Sequence, residues 1–305
     1  MSLNSGKKKL VGCVLFCAFA ILGLGLLATT PAMAQSQMPT LPPLSALPKP
    51  APMPDNDEAR IQELAIAYHI LFAQGVIDGW GHVSVRSAKN PKHFYIARNL
   101  APALVTKDDI FECDENSKPI KAGVDLVGER FIHGEIYRAR PDVQAVVHSH
   151  AQSVVPFGVT GVPLRPIMHM AGFLPQVVPI FDSRTVVGND NEILVRSIPV
   201  GAALAKMLGE NTIVLMRGHG MSIAAPTLKT AVFRAIYTQV NAAIELQSLA
   251  LGKQPIFLNE LEAFRVNATN ESSARAWDYW VAQSELVSEA LKRSMPKTST
   301  PATSK

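Results

Sequence analysis

Residues 145–151 read Ala-Val-Val-His-Ser-His-Ala, and this stretch constrains the fold more than any other. An apolar, β-branched run of this kind reads as a buried strand. Side chains two apart on a strand share a face. His148 and His150 therefore project together at the strand end, with Ser149 on the other side. Two imidazoles placed this way can chelate one ion at ~2.0–2.1 Å each for zinc. A surface or core pair of histidines gives the same pattern, so the stretch needs support from elsewhere in the chain.

That support comes from two places. Arg217-Gly218-His219-Gly220 follows the apolar run Thr-Ile-Val-Leu-Met directly. Glycine on both sides of a histidine points to a turn where the backbone passes close to something. A third imidazole at a second strand end completes a three-histidine site with an open position, the catalytic arrangement. Glu129 opens the helix expected over about 128–140, ahead of the histidine strand. Its alternative reading is helix capping, since a carboxylate suits a first turn. Glu129 with His133, four residues on, forms a rival metal pair. His82 and His169 lie in loops flanked by Gly or Pro and are candidates for substrate contact. His69 reads as a helix-face residue and His93 as a loop residue.

The rest of the chain frames this centre. Residues 1–34 carry Lys7, Lys8 and Lys9, then an uncharged apolar run, then Pro31-Ala32-Met33-Ala34. This is the pattern of a cleaved secretory signal peptide, and it predicts a periplasmic protein. An uncleaved leader would instead anchor the chain in the membrane. Cleavage removes three lysines and no acid, so the formal charge falls from +4 to +1. A near-neutral mature chain gives no reason to expect nucleic acid or anionic lipid as a partner. Cys13 and Cys17 leave with the leader, so Cys113 stands alone and no internal disulfide is expected. Residues 35–54 hold seven prolines and one charge and read as an extended linker.

The domain is expected over 55–270, with a C-terminal helix and a disordered tail in 271–305. Asp55-Asn56-Asp57 supplies capping chemistry for a helix ended by Gly75. HVSVR, HFYIA, VQAVVHSH and TIVLM read as strands. Further helices are expected over about 192–208, 228–251 and 272–291. Residues 158–179, rich in Gly and Pro, read as a structured loop. Helices and strands alternate, which predicts an α/β layered fold. No glycine-rich phosphate fingerprint follows the first strand, so the pattern is not a dinucleotide-binding unit.

The stretch GERFIHGEIYRARPDVQAVVHSHA followed by MRGHG resembles the class II aldolase/adducin family over roughly residues 57–255. The resemblance implies a three-layer αβα sandwich with a central mixed sheet, commonly a homo-oligomer and a tetramer. It implies that His148, His150 and His219 bind one divalent ion, zinc first, with manganese, cobalt or magnesium as alternatives. It also implies that Glu129 is the catalytic acid/base. Adducins share the fold without the metal histidines, all of which are present here.

This chain departs from the sugar-phosphate members of the family. Those have a Gly-Asn pair in the first glycine loop and two serines before the acid. Here the positions read Gly81-His82 and Val127-Gly128. A phosphate without those donors would be poorly satisfied. GWGHVSVR, RNLAPALVT, VPFGVTGVPLRPIMHMAGF and AWDYW look closer to decarboxylases of hydroxylated aromatic acids and carboxy-hydroxymuconate semialdehydes. The expected activity is decarboxylation of such a small-molecule carboxylate through a metal-stabilised enolate. The alternatives are retro-aldol cleavage of a hydroxy-carbonyl substrate and a non-catalytic adducin-like assembly role. Arg86, Arg98 and Arg130, with His82 and His169, are the candidate substrate contacts.

Overall fold

The computed structural model describes residues 52–270 and 274–294. The expected leader, residues 35–51 of the linker and the tail after 294 lie outside the described residues. Among the described residues, eight α-helices and seven strands follow in order. They begin with α1 (Asp57–Ala73), β1 (His82–Arg86), β2 (Phe94–Ala97) and β3 (Ile110–Cys113). Next come α2 (Arg130–Ala139), β4 (Ala145–Ser149), α3 (Val155–Thr160), β5 (Ile180–Phe181) and α4 (Arg184–Val187). Then come α5 (Ile198–Leu208), β6 (Ile213–Met216), β7 (Gly220–Ala225), α6 (Leu228–Ala250), α7 (Glu260–Asn270) and α8 (Ala274–Ser294).

The strands form one sheet in the order β3-β2-β1-β4-β7-β6-β5. All pairs are antiparallel except β5–β6, which is parallel. The histidine strand β4 sits at the centre. Its side chains alternate between two cores, as the pleat requires. Ala145 and Val147 join Val83, Ile223 and the residues of α1 and α6 on one face. Val146 joins Phe94, Ile96 and the residues of α2 and α5 on the other. Each fully buried Ile, Leu or Val contributes about 1.5–3 kcal/mol. The expected three layers are therefore present, and the sheet is covered on both faces.

Local chemistry explains the helix ends. Asn56 caps α1 by accepting from the Ala59 N–H at 2.9 Å. Thr227 does the same for α6, accepting from Thr230 at 3.1 Å. Trp277 and Trp280 of α8 pack into the core beside α6, so core packing accounts for both. Met53, at the end of the proline-rich segment, also packs against this core.

Two expectations need correction. The helix expected from 192 begins at Ile198. Ile193 has φ 53°, a conformation that β-branched residues rarely adopt and that interrupts a helix. Ser197 is the N-cap residue, and proline occupies the first turn. Strands β3, β5 and β7 were not anticipated. β7 reads Gly-Met-Ser-Ile-Ala-Ala, and its small residues carry no strand signal of their own; pairing with β4 and β6 makes it a strand. Among the described residues no helix is long and apolar enough to cross a membrane.

Candidate metal centre

The end of β4, the turn between β6 and β7, and the start of α2 meet on the α2 side of the sheet. Their donor atoms converge: one each from Glu129, His148, His150 and His219 lie within 4.8 Å of one another. His148 Nε2 is 3.1 Å from His150 Nε2. His150 Nε2 is 3.0 Å from His219 Nε2. Glu129 Oε2 lies 3.4 Å from His219 Nε2 and 3.7 Å from His148 Nε2. A tetrahedron with 2.0–2.1 Å bonds has edges of about 3.3 Å, so these separations fit a shared ion.

The hydrogen bonds behind the rings support the same reading. His148 Nδ1 donates to the Met221 carbonyl at 3.1 Å. His219 Nδ1 donates to the Ile193 carbonyl at 3.0 Å. Each neutral ring has then used its one proton, and its Nε2 carries a lone pair. His150 Nε2 faces both lone pairs and has at most one proton to offer. A cation satisfies all three nitrogens, whereas hydrogen bonding among them does not. Burial pushes the pKa of His148 well below its ordinary value, and burial then His219 lower that of His150. Both rings are thus held neutral, as ligation requires.

Glu129 is the N-cap residue of α2, but its side chain does not cap the helix. Oε1 accepts from the Val195 N–H at 2.8 Å, leaving Oε2 to the histidines. Burial works against its charge. The His219 hydrogen bond and the nearby His148 outweigh burial and hold its pKa well below the carboxylate range. The loop before α5 therefore serves the site twice, through the Ile193 carbonyl and the Val195 N–H. The left-handed backbone at Ile193 is the strain that places that carbonyl.

The glycines around His219 have separate causes. Gly218 has φ +65°, which an L side chain resists. Gly220 touches the neighbouring strand: a Cβ there would lie 2.0 Å from the Ser149 carbonyl oxygen. The expected close approach is thus the β7 backbone against the end of β4.

The centre opens onto a cavity of about 800 Å³ lined by Trp80, His82, Leu100, Glu129, His150 and Arg196, among others. Trp80 is 69% exposed and forms part of the apolar wall. His82 reaches the cavity from β1, where its Cα pairs with that of His148. His133 does not join Glu129 as a metal pair. It lies within a buried hydrogen-bonded group with His82, Ser84 and Tyr137.

The other candidate contacts are engaged elsewhere. Arg86 is buried and donates to the carbonyls of Val143 at 2.8 Å and Tyr137 at 2.9 Å, tying β1 to α2. Arg98 is paired with Asp109 at 2.8 Å. Arg130 donates to the Ser117 carbonyl at 2.6 Å. None of the three lines the cavity. His169 is an exposed residue of a short 3-10 turn. His69 bonds the Val105 carbonyl at 2.8 Å, and His93 bonds Glu112 at 2.7 Å. The cavity's guanidinium comes instead from Arg196, which sequence reasoning passed over because the segment read as helix. Trp80 lies in the stretch GWGHVSVR, where nothing in the sequence marks it as a wall residue.

Comparison with known proteins places this geometry. The family model described as Class II Aldolase and Adducin N-terminal domain matches residues 62–246. Decarboxylase tropJ from Talaromyces stipitatus is 39% identical over 71% of this chain and 91% of its own length. The 3,4-dihydroxyphthalate decarboxylase of Arthrobacter keyseri is 30% identical over 63% of this chain and 79% of its own. Among solved structures, L-fuculose 1-phosphate aldolase from Glaciozyma antarctica PI12 superposes with a TM-score of 0.61 at 23% identity. That match covers 81% of this chain and 95% of the other, and shows the shared fold.

Proposed function

The chain belongs to the class II aldolase and adducin family, and from that premise we propose that it is a divalent-metal-dependent decarboxylase of a hydroxylated aromatic carboxylic acid. One observation carries the reading. The donor atoms of Glu129, His148, His150 and His219 converge, and Glu129 and His150 open onto a cavity whose wall includes Trp80 and Leu100. The decarboxylase names of the relatives at 39% and 30% identity support the same class.

His148, His150 and His219, with Glu129 at hand, would hold the ion, with zinc first among candidates for an imidazole-rich set. Bound there, a divalent ion supplies a Lewis acid for adjacent substrate oxygens. The residues do the remaining work. Breaking the carbon–carboxylate bond releases CO2 and leaves its electron pair on the ring carbon, delocalised as an enolate. That carbon must then take up one proton. Glu129, a carboxylate at rest, is positioned to take one proton from solvent and pass it to that carbon, a transfer that restores the carboxylate. Arg196 lines the cavity, its Nη1 paired with the exposed Glu192 at 2.8 Å, and could exchange that partner for a second anionic group of the substrate. Trp80 offers a flat face to an aromatic ring.

Retro-aldol cleavage poses the same enolate problem and is the second reading. The Gly81-His82 and Val127-Gly128 positions disfavour it for phosphorylated sugars. Export through the 1–34 leader and assembly as a homo-oligomer belong to the same proposal, the first supported by the leader pattern and the second by family resemblance. The test is CO2 release from 3,4-dihydroxyphthalate and a panel of hydroxylated benzoates by protein loaded with zinc or manganese. The reading expects release that stops when the metal is chelated. Cleavage of L-fuculose 1-phosphate with no CO2 from any acid would move the assignment to aldolase.

A further inference from the structure

The cavity wall holds a histidine whose hydrogen bonding is unlike that of the ligand trio. His82 Nδ1 is 2.6 Å from His133 Nε2. His133 Nδ1 is 2.6 Å from Ser84 Oγ, and Ser84 Oγ is 2.8 Å from the Tyr137 hydroxyl. His133 and Ser84 have no solvent exposure, and Tyr137 and His82 have 4% and 6%. The rings are close, with His82 and His133 centroids 4.8 Å apart. His82 and Ser84 sit two apart on β1, and His133 and Tyr137 four apart on α2. The chain therefore bridges the sheet and the helix through side chains alone.

Such a chain has a direction. Both rings are buried, the 2.6 Å contact between them needs one bare nitrogen and one N–H, and no carboxylate among the described residues joins the chain to pair an imidazolium. Each ring thus carries one proton, and each link holds one. A phenol is a better donor than acceptor, because its lone pair is conjugated with the ring. Tyr137 therefore donates to Ser84. The Ser84 hydroxyl then donates to His133 Nδ1, and His133 Nε2–H donates to His82 Nδ1. The only proton of His82 is left on Nε2, the nitrogen not engaged by His133, on a residue that lines the cavity.

We propose that Ser84 and His133, with Tyr137 orienting Ser84, are positioning residues that fix His82 as the Nε2–H tautomer, so that a neutral imidazole presents a hydrogen-bond donor to an anionic oxygen of the substrate. A neutral donor suits a site that already holds a cation. It stabilises charge developing on oxygen without adding a second positive group beside the ligands. It also supplies a donor where the sugar-phosphate pattern has an amide. The use made of the donor rests on the decarboxylase reading; the tautomer itself does not.

The test joins nitrogen-15 NMR of histidine-labelled, zinc-loaded protein to the kinetics of CO2 release. In the wild type, His82 should show a protonated Nε2 and an unprotonated Nδ1. Ser84→Ala removes the donor to His133 and is a small change. It should mix the two His82 tautomers and lower kcat about tenfold, a part of the hundred- to thousandfold that losing an oxyanion donor outright costs. KM and metal content should hold. His133→Gln is the larger change, but its side-chain amide can still donate to His82 Nδ1, so it should keep the Nε2–H tautomer and most of kcat. A purely structural role predicts the opposite order of damage. His82 protonated on Nδ1 in the wild type, or Ser84→Ala with unchanged spectrum and kcat, would overturn the proposal. The expected tautomer without CO2 release from any acid would uphold the assignment and overturn the decarboxylase reading instead.

Discussion

Two buried glutamates are driven in opposite directions. Glu129, at the start of α2, faces His148 and His219 and gives its other oxygen to the Val195 N–H. Its charge is favoured despite burial. Glu245, on α6, is fully buried and accepts from the Arg165 N–H at 3.0 Å through Oε2, while Oε1 has no partner. Burial dominates there and raises its pKa to about 7. Asn241, one turn earlier, bonds the Ile167 N–H and the Arg165 carbonyl. The pair holds the 164–168 segment against α6. The difference lies in the company: cation-favouring imidazoles make a carboxylate useful for chemistry, and a single amide leaves one as a structural staple with a stability cost at high pH.

Each half of that contrast can be broken separately. Glu129→Gln should lower kcat about 100- to 10,000-fold while bound metal, read by elemental analysis, stays near the wild-type level. Loss of the metal as well would make Glu129 chiefly a ligand. Gly220→Ala attacks the frame that brings His219 to the site. Its Cβ would collide with the Ser149 carbonyl, and the urea midpoint should show a loss of about 3 kcal/mol.

Glu245 gives the pH test. Its folded pKa of about 7 lies above the ordinary 4.5. The folded state holds a proton that the unfolded state has released between those values. Stabilisation from this group is therefore full below pH 4.5 and is lost as pH rises through 7. Relative to wild type, Glu245→Gln should flatten the fall in stability across that window by about 3 kcal/mol, with activity unchanged at pH 7. A variant with the wild-type slope would remove Glu245 as its source. The smallest effect separates two arginines. Arg196→Gln should raise KM about fivefold, roughly 1 kcal/mol, whereas Arg98→Gln, whose partner is Asp109, should leave KM within error. The reverse order would return the carboxylate contact to Arg98.

The centre was legible because its signals are short-range. The two-residue period of β4 aligned His148 with His150, and the glycines marked the His219 turn. A layered α/β fold followed from the alternation of helices and strands, and the three layers from the family resemblance. What stayed hidden depends on distant pairing. Nothing in the sequence sets His82 opposite His148 or brings His133 within reach of His82 and Ser84, because strand register and helix packing decide both. Glu192–Ser197 carries helix-compatible residues, yet tertiary demand bends Ile193 into a left-handed turn and frees Val195 for Glu129. Arg98 stands among the sequence's candidate contacts, but Asp109, across a turn, pairs with it and it does not line the cavity.

The most direct measurement is metal content per chain in the purified protein, by elemental analysis, beside a His148→Ala/His150→Ala double variant. The account predicts about one divalent ion per chain in the wild type, since one set of four donor atoms converges, and close to none in the variant. An absence of metal in both proteins, even after reconstitution with zinc, manganese or cobalt, would contradict it.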